Sequence, residues 1–267
     1  MKSMTRVLMA GCGNMGGALL SQWLQQPGFE FTVISPSNRR CPDGVRVEND
    51  VSKLEGQQFD LIVVAVKPQL INDVIPAYTN LLAADGCFVS MAAGFSVSSL
   101  EKLIGLKNGP VPVIRIMPNM PVSIGKGVSA LYANDKAGQS HKDRVADLMQ
   151  ATGQLIWVAD EDAIDRFTAI AGSGPGYAFE IARCWVQAGQ ALGFSEQEAK
   201  EMVLQTLLGS AEMALASDSS LADLRNGVTS KNGTTAAGLN ALNGGGDLDR
   251  LLQQTLDAAY SRAVELR

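Results

Sequence analysis

Histidine is almost missing from this sequence. His141 is the single one among 267 residues, and it falls in a polar stretch ahead of an expected surface helix. Catalysis or metal binding by a set of imidazoles is thereby excluded, and His141 itself reads as a solvated side chain. Cysteine is scarce as well. Cys12, Cys41, Cys87 and Cys184 are widely separated and form no C-x-x-C pair, so their spacing suits neither a zinc site nor a disulfide framework. They read as small apolar residues or unpaired thiols. Basic charge is in deficit, with 22 Lys and Arg against 27 Asp and Glu and a net charge of −5. Neither nucleic acid nor an anionic membrane attracts such a protein, although a local basic pocket for a phosphate stays open. No run approaches the roughly 18 uninterrupted apolar residues of a membrane span. The first residues lack the apolar core and small-residue cleavage site of a signal peptide. These absences describe a cytoplasmic, reduced protein with no metal site.

What is present is the composition of a packed globular chain, 46% hydrophobic and 18% charged. Short apolar runs at 6–10, 31–35, 61–66, 87–92, 113–117, 128–132 and 154–158 are rich in Val and Ile, and several are apolar throughout. That is the signature of strands covered on both faces. Between them, 15–25, 69–82, 97–104 and 142–151 are long enough for helices. Alternation of strand and helix predicts an α/β domain with a mostly parallel, doubly wound sheet. From residue 162 onward the pattern is helical only. Ser195 and Glu198 have the spacing of a capping box. Ala199, Met202, Val203, Thr206, Leu207, Ser210, Ala211 and Ala214 then form one apolar face. Asp247 is placed to cap a last helix after the break at 244–246. The expected division is therefore 1–161 and 162–267. The Ala- and Leu-rich stripes of the second part suit burial against a second copy, or else an ordinary core within the chain.

Gly11, Gly13 and Gly16 form a G-x-G-x-x-G that leaves the first strand and opens a helix, the context in which this motif holds a dinucleotide. Gly11 allows the tight turn, Gly13 the approach of a pyrophosphate and Gly16 close helix–strand packing. The end of the second strand carries no acid to hold a ribose 2′-hydroxyl. Ser35, Ser37, Asn38, Arg39 and Arg40 stand there instead, donors suited to a 2′-phosphate and hence to NADPH over NADH. Lys67 follows the third apolar run at the edge where ligands sit, or is simply a solvated strand end.

Oxidation of an alcohol needs a base, and His141 is badly placed for one. Reduction of an imine asks less, because a protonated C=N is already electrophilic and needs mainly orientation and a hold on the substrate. Two segments rich in small residues and hydroxyls, 171–177 and 228–235, leave backbone N–H groups available for an anion. Each also reads as a capped turn between helices.

Six stretches together resemble the pyrroline-5-carboxylate reductase family: 11–16, 65–68, 90–94, 115–119 with Pro121, 172–175 with Tyr177, and 228–235. The resemblance implies an N-terminal Rossmann domain and a helical C-terminal domain for substrate binding and dimerisation, with larger rings in some members. It implies hydride transfer from NADPH, with NADH as a second donor, to the cyclic imine as the last step of proline synthesis. On the same basis Gly11, Asn14 and Met15 lie near the pyrophosphate, and Ser35, Ser37, Arg39 and Asn49 near the adenosine end. Ala65, Val66, Lys67 and Pro68 line the dinucleotide, and Ala92, Ala93 and Gly94 its nicotinamide side. Val228, Ser230, Gly233, Thr234 and Thr235 cradle the substrate carboxylate, with Thr235 donating to the ring nitrogen. The chain departs from the family pattern at Met120, Ala171, Gly176, Lys231 and Asn232. Asn232 replaces a glycine, and asparagine is the side chain that best accepts a left-handed backbone. Met120 and Asn232 leave room for an alternative, a reductase of another cyclic imine or keto acid. A non-catalytic NADP-binding sensor is the other alternative, and a methyltransferase is disfavoured by the downstream motifs.

Overall fold

The computed structural model describes residues 4–36, 41–108 and 111–267. One sheet holds eight strands: β1 (Thr5–Ala10), β2 (Phe29–Ile34), β3 (Arg46–Glu48), β4 (Phe59–Val64), β5 (Leu82–Ser90), β6 (Val113–Pro118), β7 (Gly127–Ala133) and β8 (Gly153–Trp157). Their order is β3-β2-β1-β4-β5-β6-β7-β8, and every neighbouring pair is parallel except β6 and β7. The helices are α1 (Asn14–Trp23), α2 (Ile71–Val74), α3 (Val97–Asn108), α4 (Gln139–Met149), α5 (Glu161–Phe167), α6 (Gly174–Ala191), α7 (Glu196–Leu215), α8 (Leu221–Gly227), α9 (Thr234–Asn243) and α10 (Asp247–Glu265).

Successive residues of a strand point to opposite faces, and here both faces are buried. Val7 and Met9 of β1 join a cluster under Leu19 and Trp23 of α1 and Leu148 of α4. Leu8 and Ala10 join a second cluster with Ile71 of α2 and Leu100 and Ile104 of α3. This double coverage is why the strands carry no polar alternation, and it establishes the doubly wound architecture.

The differences from the expected elements are local. β3 is a three-residue edge strand with Arg46 and Glu48 at its ends, too short and polar to show in the hydrophobic pattern. The helix expected over 69–82 is broken into short turns around α2, because Pro76 supplies no N–H to a continuous ladder. His141 is buried rather than solvated. Its Nδ1 accepts the Gly138 N–H at 3.1 Å at the start of α4, and its Nε2 lies 3.3 Å from Asp85 Oδ1. Cys87 is fully buried in β5, and that burial pushes its thiol up to about 12.

The chain forms two compact units, one running to Ser173 and including Ala259–Arg267, the other spanning Gly174–Ala258. In the second unit α6 and α7 pack closely, with a Cβ placed on Gly189 coming 3.1 Å from Ala199 Cβ. The Ser195 capping box forms, Glu198 N–H donating to Ser195 Oγ and Ser195 N–H to Glu198 Oε2. Asp247 does not cap α10. Asn243 Oδ1 takes the Leu248 N–H instead, since Gly246 in a left-handed turn sets Asp247 inside the helix. Only Ala182, Ala199 and Val203 are buried hydrophobics in this unit among the described residues. Phe179, Leu192 and Leu215 are 70%, 82% and 88% exposed. The unit has no ordinary core of its own.

Candidate active site

The site in the first unit is built on a single register line. Glu48, Ile34, Ala10, Val64, Ser90 and Arg115 are paired across β3, β2, β1, β4, β5 and β6. Because these strands are parallel, the segments that follow them leave on one edge. The strand order turns back between β1 and β4, the switch point at which an open α/β sheet leaves a crevice for ligands. Asn49, Ser35, Gly11, Ala65 and Ala92 all stand within two residues of that line.

The loop after β1 is shaped by what its glycines lack. Gly11 has φ +91°, and a Cβ there would lie 2.9 Å from Val66 Cγ1 and 3.0 Å from the Ala65 carbonyl oxygen. A Cβ on Gly16 would lie 2.7 Å from Met9 Cε and 3.3 Å from Ala65 Cβ. Gly13 differs, since a Cβ there meets nothing within 4 Å among the described residues. Gly11 and Gly16 thus serve the packing of loop and helix on β1 and on the segment that follows β4, while Gly13 keeps an open surface at the start of α1. Among the described residues no side chain caps α1 at Gly13, and no acid stands in its first turn. A helix N-terminus of this kind presents N–H groups and a positive dipole end, the arrangement that receives phosphates. The residues present fit a dinucleotide pyrophosphate at Gly13, Asn14 and Met15.

The neighbouring loops are tied to this one through the backbone. Gly11 N–H donates to Ile34 O and Ala65 N–H to Ala10 O, both at 2.9 Å, and Met91 N–H donates to Val64 O at 3.2 Å. Ser35 is buried, its N–H bonded to Glu48 O, while Asn49 is exposed beside it. Val66 is half-buried, and Lys67 is exposed before the turn begun by Pro68. Ala92 is buried, Ala93 exposed, and Gly94 left-handed at φ +69°. Ser37, Asn38, Arg39 and Arg40, the expected 2′-phosphate donors, lie outside the described residues.

The motif at 115–119 is a structural link. Arg115 is 1% exposed, and its Nη1 donates to Glu161 Oε1 at 2.8 Å. The same carboxylate oxygen accepts the Val97 N–H at 2.9 Å, which ties the loop after β5 to α5. Asn119 Oδ1 accepts the Val128 N–H, and its Nδ2 donates to Ala171 O. Met120 is half exposed in the turn after β6.

In the second unit, the segment 228–233 leads into α9. Asn232 has φ +61°, the one positive φ outside glycine among the described residues. The asparagine therefore takes the left-handed turn that a glycine would take. A Cβ on Gly233 would fall 2.2 Å from Ser230 Oγ and 3.2 Å from the Ser230 carbonyl oxygen, so a side chain there displaces the serine hydroxyl. Gly233 starts α9 with neither a side-chain cap nor an acid in the first turn. Val228, Ser230, Thr234 and Thr235 are exposed, and the Thr235 hydroxyl has no partner among the described residues. This is a second helix start able to receive a small anion, with a hydroxyl beside it.

The family described as pyrroline-5-carboxylate reductase dimerisation matches residues 161–266. A pyrroline-5-carboxylate reductase of Pseudomonas aeruginosa is 36% identical over 99% of this chain and 97% of its own length. The solved pyrroline-5-carboxylate reductase of Coxiella burnetii superposes with a TM-score of 0.89 at 32% identity, covering 99% of both chains. The pyrroline carboxylate reductase of Plasmodium falciparum, solved with NADP bound, gives 0.85 at 26% identity over 100% of this chain and 99% of its own.

Proposed function

The chain belongs to the pyrroline-5-carboxylate reductase family, and from that premise we propose that it reduces 1-pyrroline-5-carboxylate to L-proline with NADPH, accepting NADH as a second donor. The observation that carries this reading is the register line of the sheet, which brings the segments after β1, β2, β3, β4 and β5 to one edge around an uncapped helix start. When bound there, the dinucleotide supplies a hydride from its nicotinamide ring. The protein's own part is to hold and orient. Gly11, Gly13 and Gly16 shape the seat of the pyrophosphate, with Asn14 and Met15 beside it. Ser35, Ser37, Arg39 and Asn49 take the adenosine end, the arginine facing a 2′-phosphate. Ala65, Val66, Lys67 and Pro68 flank the dinucleotide, and Ala92, Ala93 and Gly94 face its nicotinamide side. Val228, Ser230, Gly233, Thr234 and Thr235 hold the substrate carboxylate, and the Thr235 hydroxyl donates to the ring nitrogen as it becomes an amine. In function, 1–161 is the dinucleotide-binding part and 162–267 the substrate-binding and dimerisation part.

The purified protein, given DL-pyrroline-5-carboxylate and NADPH, is expected to oxidise the cofactor and form proline in equal amount. Cofactor binding with no oxidation would overturn the reading in favour of another imine or a sensor. NADH in the same assay measures the preference.

A helical unit with three buried hydrophobics and many exposed ones needs a second surface to cover it, because such extended apolar patches are rare on monomers. The expected state is a homodimer or larger ring. Sedimentation should give at least twice the 28.2 kDa of one chain, and a stable monomer at micromolar concentration would contradict it. No helix among the described residues is long and apolar enough to cross a membrane.

A further inference from the structure

Helix α5 carries three acidic groups on the first unit, and two of them hold a segment far along the chain. Asp165 is 3% exposed, a carboxylate removed from water. Burying such a charge is costly unless a cation is brought to it, and the cation here is Arg267, 102 residues away. The Arg267 guanidinium bonds Asp165 Oδ2 and also donates from Nη2 to Asp162 Oδ1 at 2.9 Å. Tyr260 adds a third tie, its hydroxyl donating to Asp162 Oδ1 at 2.7 Å. That hydroxyl and the guanidinium hold the Asp162 carboxyl below the usual carboxylate range.

The consequence lies one residue back. With Arg267 anchored, the Leu266 carbonyl is pressed against Gly94, where an added Cβ would stand 2.0 Å from the Leu266 oxygen and 2.9 Å from its carbonyl carbon. Gly94 is thus bound to be glycine for two reasons, its φ of +69° and this contact. The loop that runs from Ala92 to Val97 is consequently held at two points that lead to α5, Gly94 through Leu266 and Arg267, and Val97 directly. Glu161 takes the Val97 N–H together with buried Arg115, and the Asp162–Asp165–Arg267 clamp closes the Gly94 side.

We infer that Arg267 is a positioning residue for the nicotinamide end of the bound dinucleotide: its clamp on Asp165 and Asp162 sets Leu266 against Gly94 and so fixes the surface offered by Ala92–Gly94. This rests on the assignment of Ala92, Ala93 and Gly94 to the nicotinamide side. Arg267 touches neither cofactor nor substrate, and its effect passes through the loop alone. The adenosine end is held by other strands, so the two ends of the dinucleotide should respond differently when the clamp is cut.

The test uses the full-length protein and two probes, NADPH and adenosine 2′,5′-bisphosphate, which has the adenosine end without nicotinamide. Arg267→Ala is expected to raise the NADPH Kd and KM about tenfold, the loss of one charge-assisted interaction, with the bisphosphate Kd within twofold of wild type. Arg267→Lys keeps the charge but loses the fork that reaches two carboxylates, and should fall between. Asp165→Asn, which leaves the neighbourhood neutral and Arg267 held by Asp162 alone, should shift NADPH in the same direction by less. Equal weakening of both probes would mean a general loosening of the fold and would overturn the inference, as would an Arg267→Ala protein with unchanged NADPH affinity. Absence of NADPH binding by the wild-type protein would instead defeat the assignment on which the inference rests.

Discussion

Thr235→Ala is expected to lower kcat for pyrroline-5-carboxylate by about 10- to 100-fold, the equivalent of one hydrogen bond to a group of changing charge. Thr235 lies in the first turn of α9, exposed, with its hydroxyl unpartnered among the described residues. Folding does not use that hydroxyl. Alanine is also the better helix former, so the thermal midpoint should stay level or rise slightly. The loss should appear in chemistry alone. As hydride reaches the imine carbon, the ring nitrogen gains a lone pair, and a donor facing it is worth most at that moment. KM for the imine should change less than kcat, since the proposed carboxylate seat at the start of α9 keeps its backbone N–H groups. Thr235→Ser, which retains the oxygen, should recover most of the rate. Steady-state kinetics with saturating NADPH decide the matter, and a Thr235→Ala enzyme within twofold of wild type would remove Thr235 from the reaction.

Gly11→Ala should harm both stability and cofactor affinity, and Gly13→Ala only the second. At Gly11 the backbone is left-handed and the added Cβ meets a carbonyl oxygen at 3.0 Å, an atom held in the sheet by the Ala65 N–H bond to Ala10. The left-handed conformation alone costs a non-glycine residue about 1–2 kcal/mol. The close contact adds to that, so a fall of several degrees in the thermal midpoint is expected. The loop must also move away from β4, which draws the start of α1 off the pyrophosphate and raises the NADPH Kd at least about tenfold, the cost of losing one charge-assisted hydrogen bond. Gly13 has φ −82° and open space where a Cβ would go. Its alanine variant should melt like wild type yet bind NADPH more weakly, because only the ligand approaches that surface. Calorimetry of each variant with and without NADPH separates the two effects. Equal destabilisation of the two variants would contradict the division of roles between these glycines.

Much of this protein was determined by short stretches of its sequence. The strands are readable because burial on both faces strips them of polar residues, as in β1, where Val7 and Leu8 pack into opposite clusters. The turn from β1 into α1, the Ser195–Glu198 box and the left-handed Asn232 are each settled within a few residues, since backbone conformation and capping are local matters. The tertiary structure alone decided the rest. Edge strand β3 forms because β2 offers it a partner, and not through any hydrophobic pattern of its own. His141 looks like a surface residue until α4 packs and buries it against Gly138 and Asp85. The pairing of Arg115 with Glu161, 46 residues apart, and of Arg267 with Asp165, 102 apart, leaves no trace in periodicity or spacing. A charge finds its partner only after the elements that carry both have packed, and burial then makes that partner obligatory.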